Sequence, residues 1–230
     1  GVGDYDGDGL PDVLVTNFAD DVSTLYRTAS RAPGPQRNRS FAPGEDPHGE
    51  GRTARCLFAD VTDAVGLREP TYKPLSWGVV FADLDLDGDE DVFIANGHIY
   101  PQADTAPQST TRFAQRNLLL ENTGGRFRDA TAEAGPGLAV VKASHGVAMG
   151  DLDGDGDVDL VVSNIDSTPT LLRNDSPRGG RHWLSVDAPG ALRVAVESGG
   201  RKITRFFVAG GSFCSASDPR FHFGLGAASK

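Results

Sequence analysis

Carboxylates at alternate positions of a short glycine-containing loop can converge their oxygens on one point, and this chain spaces them that way three times. The segments DYDGDGLPDVLVTN (4–17), DLDLDGDEDVFIAN (83–96) and DLDGDGDVDLVVSN (151–164) share D-x-D-x-D-G-x-x-D, then an apolar run ending in Asn. Positions 1, 3 and 5 can turn carboxylate oxygens inward, position 7 can add its backbone carbonyl, and a carboxylate at position 9 closes the cage. About six to eight oxygens in a flexible loop suit Ca²⁺ better than Mg²⁺, which demands a tight octahedron and keeps its waters. The expected ligand sets are Asp4, Asp6, Asp8, the Leu10 carbonyl and Asp12; then Asp83, Asp85, Asp87, the Asp89 carbonyl and Asp91; then Asp151, Asp153, Asp155, the Asp157 carbonyl and Asp159.

Gly9, Gly88 and Gly156 hold position 6, where the chain must turn sharply with a positive φ that a β-carbon would penalise. An EF-hand opens with the same residues but places a Glu at position 12 and flanks its loop with helices. Position 12 here is Val15, Ile94 or Val162, inside an apolar run, so the loops should join strands. Acidic turns kept soluble by their charge are the simpler alternative for one copy. Three copies hold 15 of the 32 acidic residues, and carboxylates so crowded repel by about 1 kcal/mol or more per pair without a cation. Three bound Ca²⁺, two charges each, would move the formal charge from −10 to −4.

The elements that must position these loops are short strands. Among 230 residues, 29 Gly and 14 Pro against a single Met indicate many turns and few long helices, which favours an all-β fold. WGVVFAD (77–83) aligns with HGVAMGD (145–151), and GVGD at the start is the stub of the same strand. FADVTDAVGL (58–67) resembles FRDATAEAGPGL (127–138), while STLYR, NLLLEN and PTLLRN read as equivalent strands. A repeat of roughly 60 to 70 residues with several strands is the signature of a propeller blade.

The expected organisation is residues 1–176 as repeats carrying the three loops, and 181–230 as a separate β-rich tail. The stretch 27–55 is rich in Pro, Gly and Arg, with six arginines against three acids, and reads as a solvated excursion. It is either a docking arm or a tolerated insertion. A shorter excursion spans 101–116. Cys56 and Cys214 allow a long-range disulfide in an oxidising compartment, or two unrelated thiols. The acidic balance argues against nucleic acid as a partner, and no run approaches the ~18 apolar residues of a membrane helix.

The acidic loop leading into a [VLI]-x-[VI]-x-N strand resembles the FG-GAP or VCBS-type repeat. ANGHIYPQ (95–102) and the segment 181–226, with its AGGSF…SDPRFHFGLG motif, are similar to the bacterial cartilage-acidic-protein family, in which such repeats precede an ASPIC/UnbV domain. The resemblance implies a β-propeller with calcium in its loops, followed by a small β-rich domain. Relative to that pattern the loop before LRVAVES is short, the chain stops soon after HFGLG, and it starts within a blade. The expectation is therefore a partial propeller of about three repeats and a shortened tail, since closed propellers take ~4 to 8 blades.

Five histidines offer little catalysis. His145 fills the slot that Trp77 fills in the sister repeat, so it reads as structural. His98 and Tyr100 follow a strand and either stabilise a turn or face a pocket. His182 and His222 read as half-buried strand residues of the tail, and His48 lies in the basic excursion. No nucleophile elbow, phosphate loop or zinc motif occurs. The expectation is no enzyme and no catalytic residue, but a secreted, periplasmic or cell-surface calcium-binding module whose partner is another protein or a surface glycan. The alternatives are a carbohydrate-binding or enzyme-associated propeller, and an accessory subunit of a membrane-associated assembly.

Overall fold

A computed structural model describes residues 1–30 and 56–228. Four strands form the first antiparallel sheet in the order β1 (Val2–Gly3), β2 (Asp12–Val15), β3 (Thr24–Ser30) and β4 (Cys56–Asp60). A second sheet follows from β5 (Ser76–Ala82) and β6 (Asp91–Asn96), past the short β7 (Gln115–Arg116), to β8 (Leu118–Asn122) and β9 (Phe127–Asp129). After β10 (Val141–Lys142), which pairs with β7, the third sheet is β11 (Ser144–Gly150), β12 (Asp159–Asn164) and β13 (Thr170–Leu172). Each acidic loop joins the first two strands of its sheet, and no EF-hand helix flanks any of them. The fold is nearly all β, and the sheets close into no ring among the described residues, as in a partial propeller.

The repeat is visible in the pairing register. The residue at position 10 of each loop, Val13, Val92 or Leu160, faces Tyr26, Leu120 or Leu172 on the third strand. Those partners in turn face Asp60 and Asp129 in the first two sheets. Both aspartates accept a backbone N–H two residues on, from Thr62 and Thr131 at 3.0 and 2.9 Å. The hydroxyls of those threonines accept the N–H groups of Leu25 and Leu119. Equivalence across the repeats therefore extends from pairing to individual hydrogen bonds.

Alternation decides how the sheets pack. In the middle sheet Val79, Phe81, Val92 and Ile94 join Leu14 and Leu25 of the first sheet, while Val80, Phe93 and Ala95 join Val147, Leu160 and Val162 of the third. Apolar groups pointing both ways bury both faces of β6, which explains why DVFIAN has no polar position between its leading Asp and its final Asn. The third sheet has a neighbour on one side, and Val161 and Ser163 of β12 face solvent.

The C-terminal part pairs β14 (His182–Val186) with β17 (Phe221–Gly226), and β15 (Arg193–Ser198) with β16 (Arg201–Phe206), around Ile203, Phe221 and Phe223. Several sequence expectations shift. Arg27 to Ser30 belong to β3, and Ser30 pairs with Cys56, so the chain between 31 and 55 is an insertion in the β3–β4 hairpin. The remainder of that excursion, His48 included, lies outside the described residues. The second excursion ends in a strand, β7. His182 is exposed, whereas His222 is half-buried. Cys214 carries a free, exposed thiol.

Candidate metal centre

Each acidic loop is folded by one ladder of side-chain to backbone hydrogen bonds. The position-6 glycine donates to Oδ2 of the position-1 aspartate: Gly9 to Asp4 at 2.9 Å, Gly88 to Asp83 at 2.9 Å and Gly156 to Asp151 at 3.1 Å. Position 5 donates to position 3, as Asp8 to Asp6, Asp87 to Asp85 and Asp155 to Asp153. Position 7 donates to position 5, as Leu10 to Asp8, Asp89 to Asp87 and Asp157 to Asp155, each at 2.9 Å. The position-6 glycines have φ of 83°, 99° and 95°, so the expected left-handed turn is present in all three.

The ladder gathers carboxylates. Asp4, Asp6 and Asp8 each bring one oxygen within 4.8 Å of the others; Asp83, Asp85 and Asp87 do the same, as do Asp151, Asp153 and Asp159. These three clusters could hold metal ions. Positions 1, 3 and 5 thus converge in the first two loops, and positions 1, 3 and 9 in the third. The position-9 residues also bind the neighbouring strand or the residues just past it: Asp12, Asp91 and Asp159 accept the N–H of Thr28, Asn122 and Asn174 at 2.7, 2.8 and 2.8 Å. Oδ2 of Asp91 and of Asp159 also takes the position-2 N–H, from Leu84 and Leu152. Position 9 therefore anchors the loop to its sheet.

Burial sets the electrostatics. It pushes the Asp4 carboxyl up to about 6 and that of Asp12 to about 7, against opposing backbone hydrogen bonds from Gly9 and Thr28. Burial likewise raises Asp83 to about 7 against the pull of Arg205, and Asp91 to about 8. Ionised carboxylates at this depth need a counter-charge. Oδ1 of Asp4 and Oδ2 of Asp12 are buried and have no protein partner. An oxygen-only donor set with such orphaned acceptors fits a hard divalent cation.

Several participating residues carry no motif. Glu90, at position 8 of the second loop, crosses to the first and accepts the Asp4 N–H at 2.7 Å. Asn122 donates to the Tyr5 carbonyl and Asn174 to the Leu84 carbonyl, both at 2.8 Å, so an Asn at the end of β8 and another just past β13 each staple the loop of the preceding sheet. The terminal Asn of NLLLEN and PTLLRN was the available signal. Arg27 of β3 pairs with Asp6 at 2.5 Å and Asp8 at 3.1 Å, and Arg178 holds Asp157 and the Asp155 carbonyl.

Away from the loops, Trp77 and His145 stack at 4.3 Å between ring centroids, and Phe213 lies 4.9 Å from Trp77. The equivalent slots of two repeats thus meet in one aromatic cluster. His98 and Tyr100 are joined by Phe18 from the first repeat; the Tyr100 and Phe18 ring centroids lie 6.0 and 5.8 Å from that of His98.

Fold and site together describe a β-repeat protein whose loops are built to gather carboxylates. Comparison with known families is more specific: the FG-GAP-like repeat family matches residues 109–162, from the second excursion through the third loop into β12, and the ASPIC and UnbV family matches residues 185–230. The chain carries an FG-GAP-like repeat followed by an ASPIC/UnbV domain. No curated protein matches it. FG-GAP repeats are typical of extracellular or surface proteins. Among the described residues no helix is long and apolar enough to cross a membrane.

Proposed function

We propose that this chain is a calcium-stabilised, non-catalytic binding or scaffold module of a secreted, periplasmic or cell-surface protein. The observation that carries the reading is the orphaned, buried Oδ1 of Asp4 in a carboxylate cluster whose hydrogen-bond ladder recurs in two sister loops. Asp4, Asp6 and Asp8 would hold one ion, Asp83, Asp85 and Asp87 a second, and Asp151, Asp153 and Asp159 a third. The Leu10, Asp89 and Asp157 carbonyls, with the remaining loop carboxylates Asp12, Asp91 and Asp155, are the further donors of each set. The ion supplies positive charge, and the chain supplies the turn, the anchor at position 9 and the staples between sheets.

Sites of extracellular modules bind in a range of about 10⁻⁴ to 10⁻³ M, which extracellular calcium fills and cytosolic calcium does not. An ion present at about 100 times its dissociation constant stabilises the fold by about 2.7 kcal/mol per site. Melting in saturating calcium and in chelator tests this directly. A melting temperature lowered by more than about 10 °C in chelator is expected for three such sites. Indifference to calcium would overturn the reading.

A glycan as the partner is favoured by one observation. Phe18 and Tyr100 are 54% and 60% exposed and flank His98 on one surface, an arrangement suited to stacking against a sugar ring. Binding on a glycan array that disappears in Tyr100→Ala with calcium uptake intact would support a glycan partner. An empty array with intact uptake would point to a protein partner.

A further inference from the structure

The three loops share one internal plan but differ in what lies over them. All nine residues of the second loop are at least partly buried, whereas Gly7 and Asp8 of the first and residues 152–155 of the third are exposed. The cover is the C-terminal domain, which also lays Trp183 and His222 on Gly156 of the third loop but leaves residues 152–155 there exposed. Strand β17 lies against the second loop, with the Gly224 N–H donating to Oδ2 of Asp83 at 3.0 Å and the Gly226 N–H to the Leu86 carbonyl at 2.9 Å. A β-carbon on Gly224 would overlap that Asp83 oxygen, so glycine is what admits the strand.

Three arginines complete the roof by binding main-chain carbonyls of the loop. Arg181 donates to Asp85 O at 2.6 Å, Arg201 to Asp87 O at 3.0 Å and Arg205 to Gly88 O at 3.2 Å. These belong to positions 3, 5 and 6; the position-7 carbonyl of Asp89, a candidate ion ligand, is not among them. The carbonyls meet the arginines only while the turn keeps its shape, and an ion among Asp83, Asp85 and Asp87 would hold that shape. Charge leads to the same coupling. The loop carries six acids and the roof brings three arginines, each paired with loop carboxylates: Arg181 with Asp85 at 2.8 Å, Arg201 with Asp89, and Arg205 with Asp83 at 3.6 Å and Glu90 at 3.4 Å. Covering the loop therefore encloses unbalanced negative charge, and a divalent cation reduces that cost.

Building on the calcium reading above, we propose that the second loop is a latch, in which the bound cation and the docked C-terminal domain stabilise each other and the ion is trapped beneath β17. The first and third loops, which expose positions 4 and 5 to solvent, then exchange their ions faster than the second. Linkage is reciprocal: removing the ion loosens the domain, and loosening the domain speeds release of the ion.

The test uses the full chain loaded with Ca²⁺ and mixed rapidly with a fluorescent chelator, together with hydrogen exchange at Gly224 and Gly226. One of the bound ions should leave at least about tenfold more slowly than the others, since it awaits local opening of the roof. Asp83→Asn should abolish that slow phase, and Asp85→Asn serves if the first variant does not fold. Arg181→Ala with Arg201→Ala should accelerate the phase without removing it. Chelation and Asp85→Asn should both expose the two glycine amides, while Asp4→Asn in the first loop should leave them protected. Calcium uptake with uniformly fast release, or glycine amides indifferent to chelator, would overturn the latch and leave the calcium reading standing. A chain that takes up no calcium removes both.

Discussion

The second and third loops differ at two of nine positions, namely 4 and 8, yet the second is covered along its whole length while residues 152–155 of the third face solvent. Position 4 is left-handed in both, with φ of 65° at Leu86 and 78° at Gly154. A left-handed leucine costs roughly 1 to 2 kcal/mol, and burying its side chain returns roughly 1.5 to 3. Leu86 is 1% exposed beneath β17, so burial outweighs strain there, whereas solvent-facing Gly154 has nothing to pack against. Position 8 diverges similarly: Glu90 reaches into the first loop, while Val158 is buried beside the third. Local sequence builds the same turn twice, and the surroundings decide which turn is enclosed.

Substitutions that act on one cover and not the other should separate the two loops. Phe223 is fully buried under the roof with the Arg205 guanidinium 5.7 Å from its ring centre, so Phe223→Ala should cost about 3 to 5 kcal/mol in chemical denaturation. Trp183 over the third loop is 38% exposed, and Trp183→Ala should cost less than half as much. Equal losses would mean that both covers matter alike. Gly224→Ala drives a β-carbon into Asp83 and should cost about 1 to 3 kcal/mol, with raised hydrogen exchange across residues 221–226. In the open loop Gly154→Ala meets no neighbour within 4 Å, so only its positive φ acts; a loss of about 1 kcal/mol is expected, with no change in the C-terminal domain.

The smallest effect concerns His145, which lies outside the three loops. Burial against Trp77 and Phe213 lowers its pKa below 6.5, opposed by the Gly97 carbonyl. A histidine depressed in the folded state contributes stability that is full above the unfolded value and declines as pH falls below it. The His145 contribution to the melting temperature should therefore fall modestly below pH 6.5, read as the difference between the parent and His145→Phe profiles. An unchanged slope in the variant would show that the ring does not titrate against folding.

Much of the local device was legible in the sequence. Spacing alone placed aspartates at positions 1, 3 and 5, a left-handed glycine at position 6 and a strand from position 9, because each depends on residues fewer than ten apart. The double role of position 9 was hidden, since the N–H groups taken by Asp12, Asp91 and Asp159 belong to residues 15 to 31 positions further on. The roof was hidden more deeply. Arg181, Arg201, Arg205 and Gly224 meet the second loop across 96 to 141 residues, and within the three sister motifs the mark of the loop they choose is Leu86, where the other two carry Gly7 and Gly154. The basic character of 27–55 also concealed that Arg27 sits in a strand and serves the first loop.

The central claim is that these three clusters are cation sites, and equilibrium dialysis of the chelator-stripped chain against radioactive calcium tests it most directly. The account predicts an uptake of about three ions per chain, one for each cluster, with Asp4→Asn, Asp83→Asn and Asp151→Asn each removing about one. A stripped, folded chain that retains no calcium, or variants that bind as much as the parent, would contradict it.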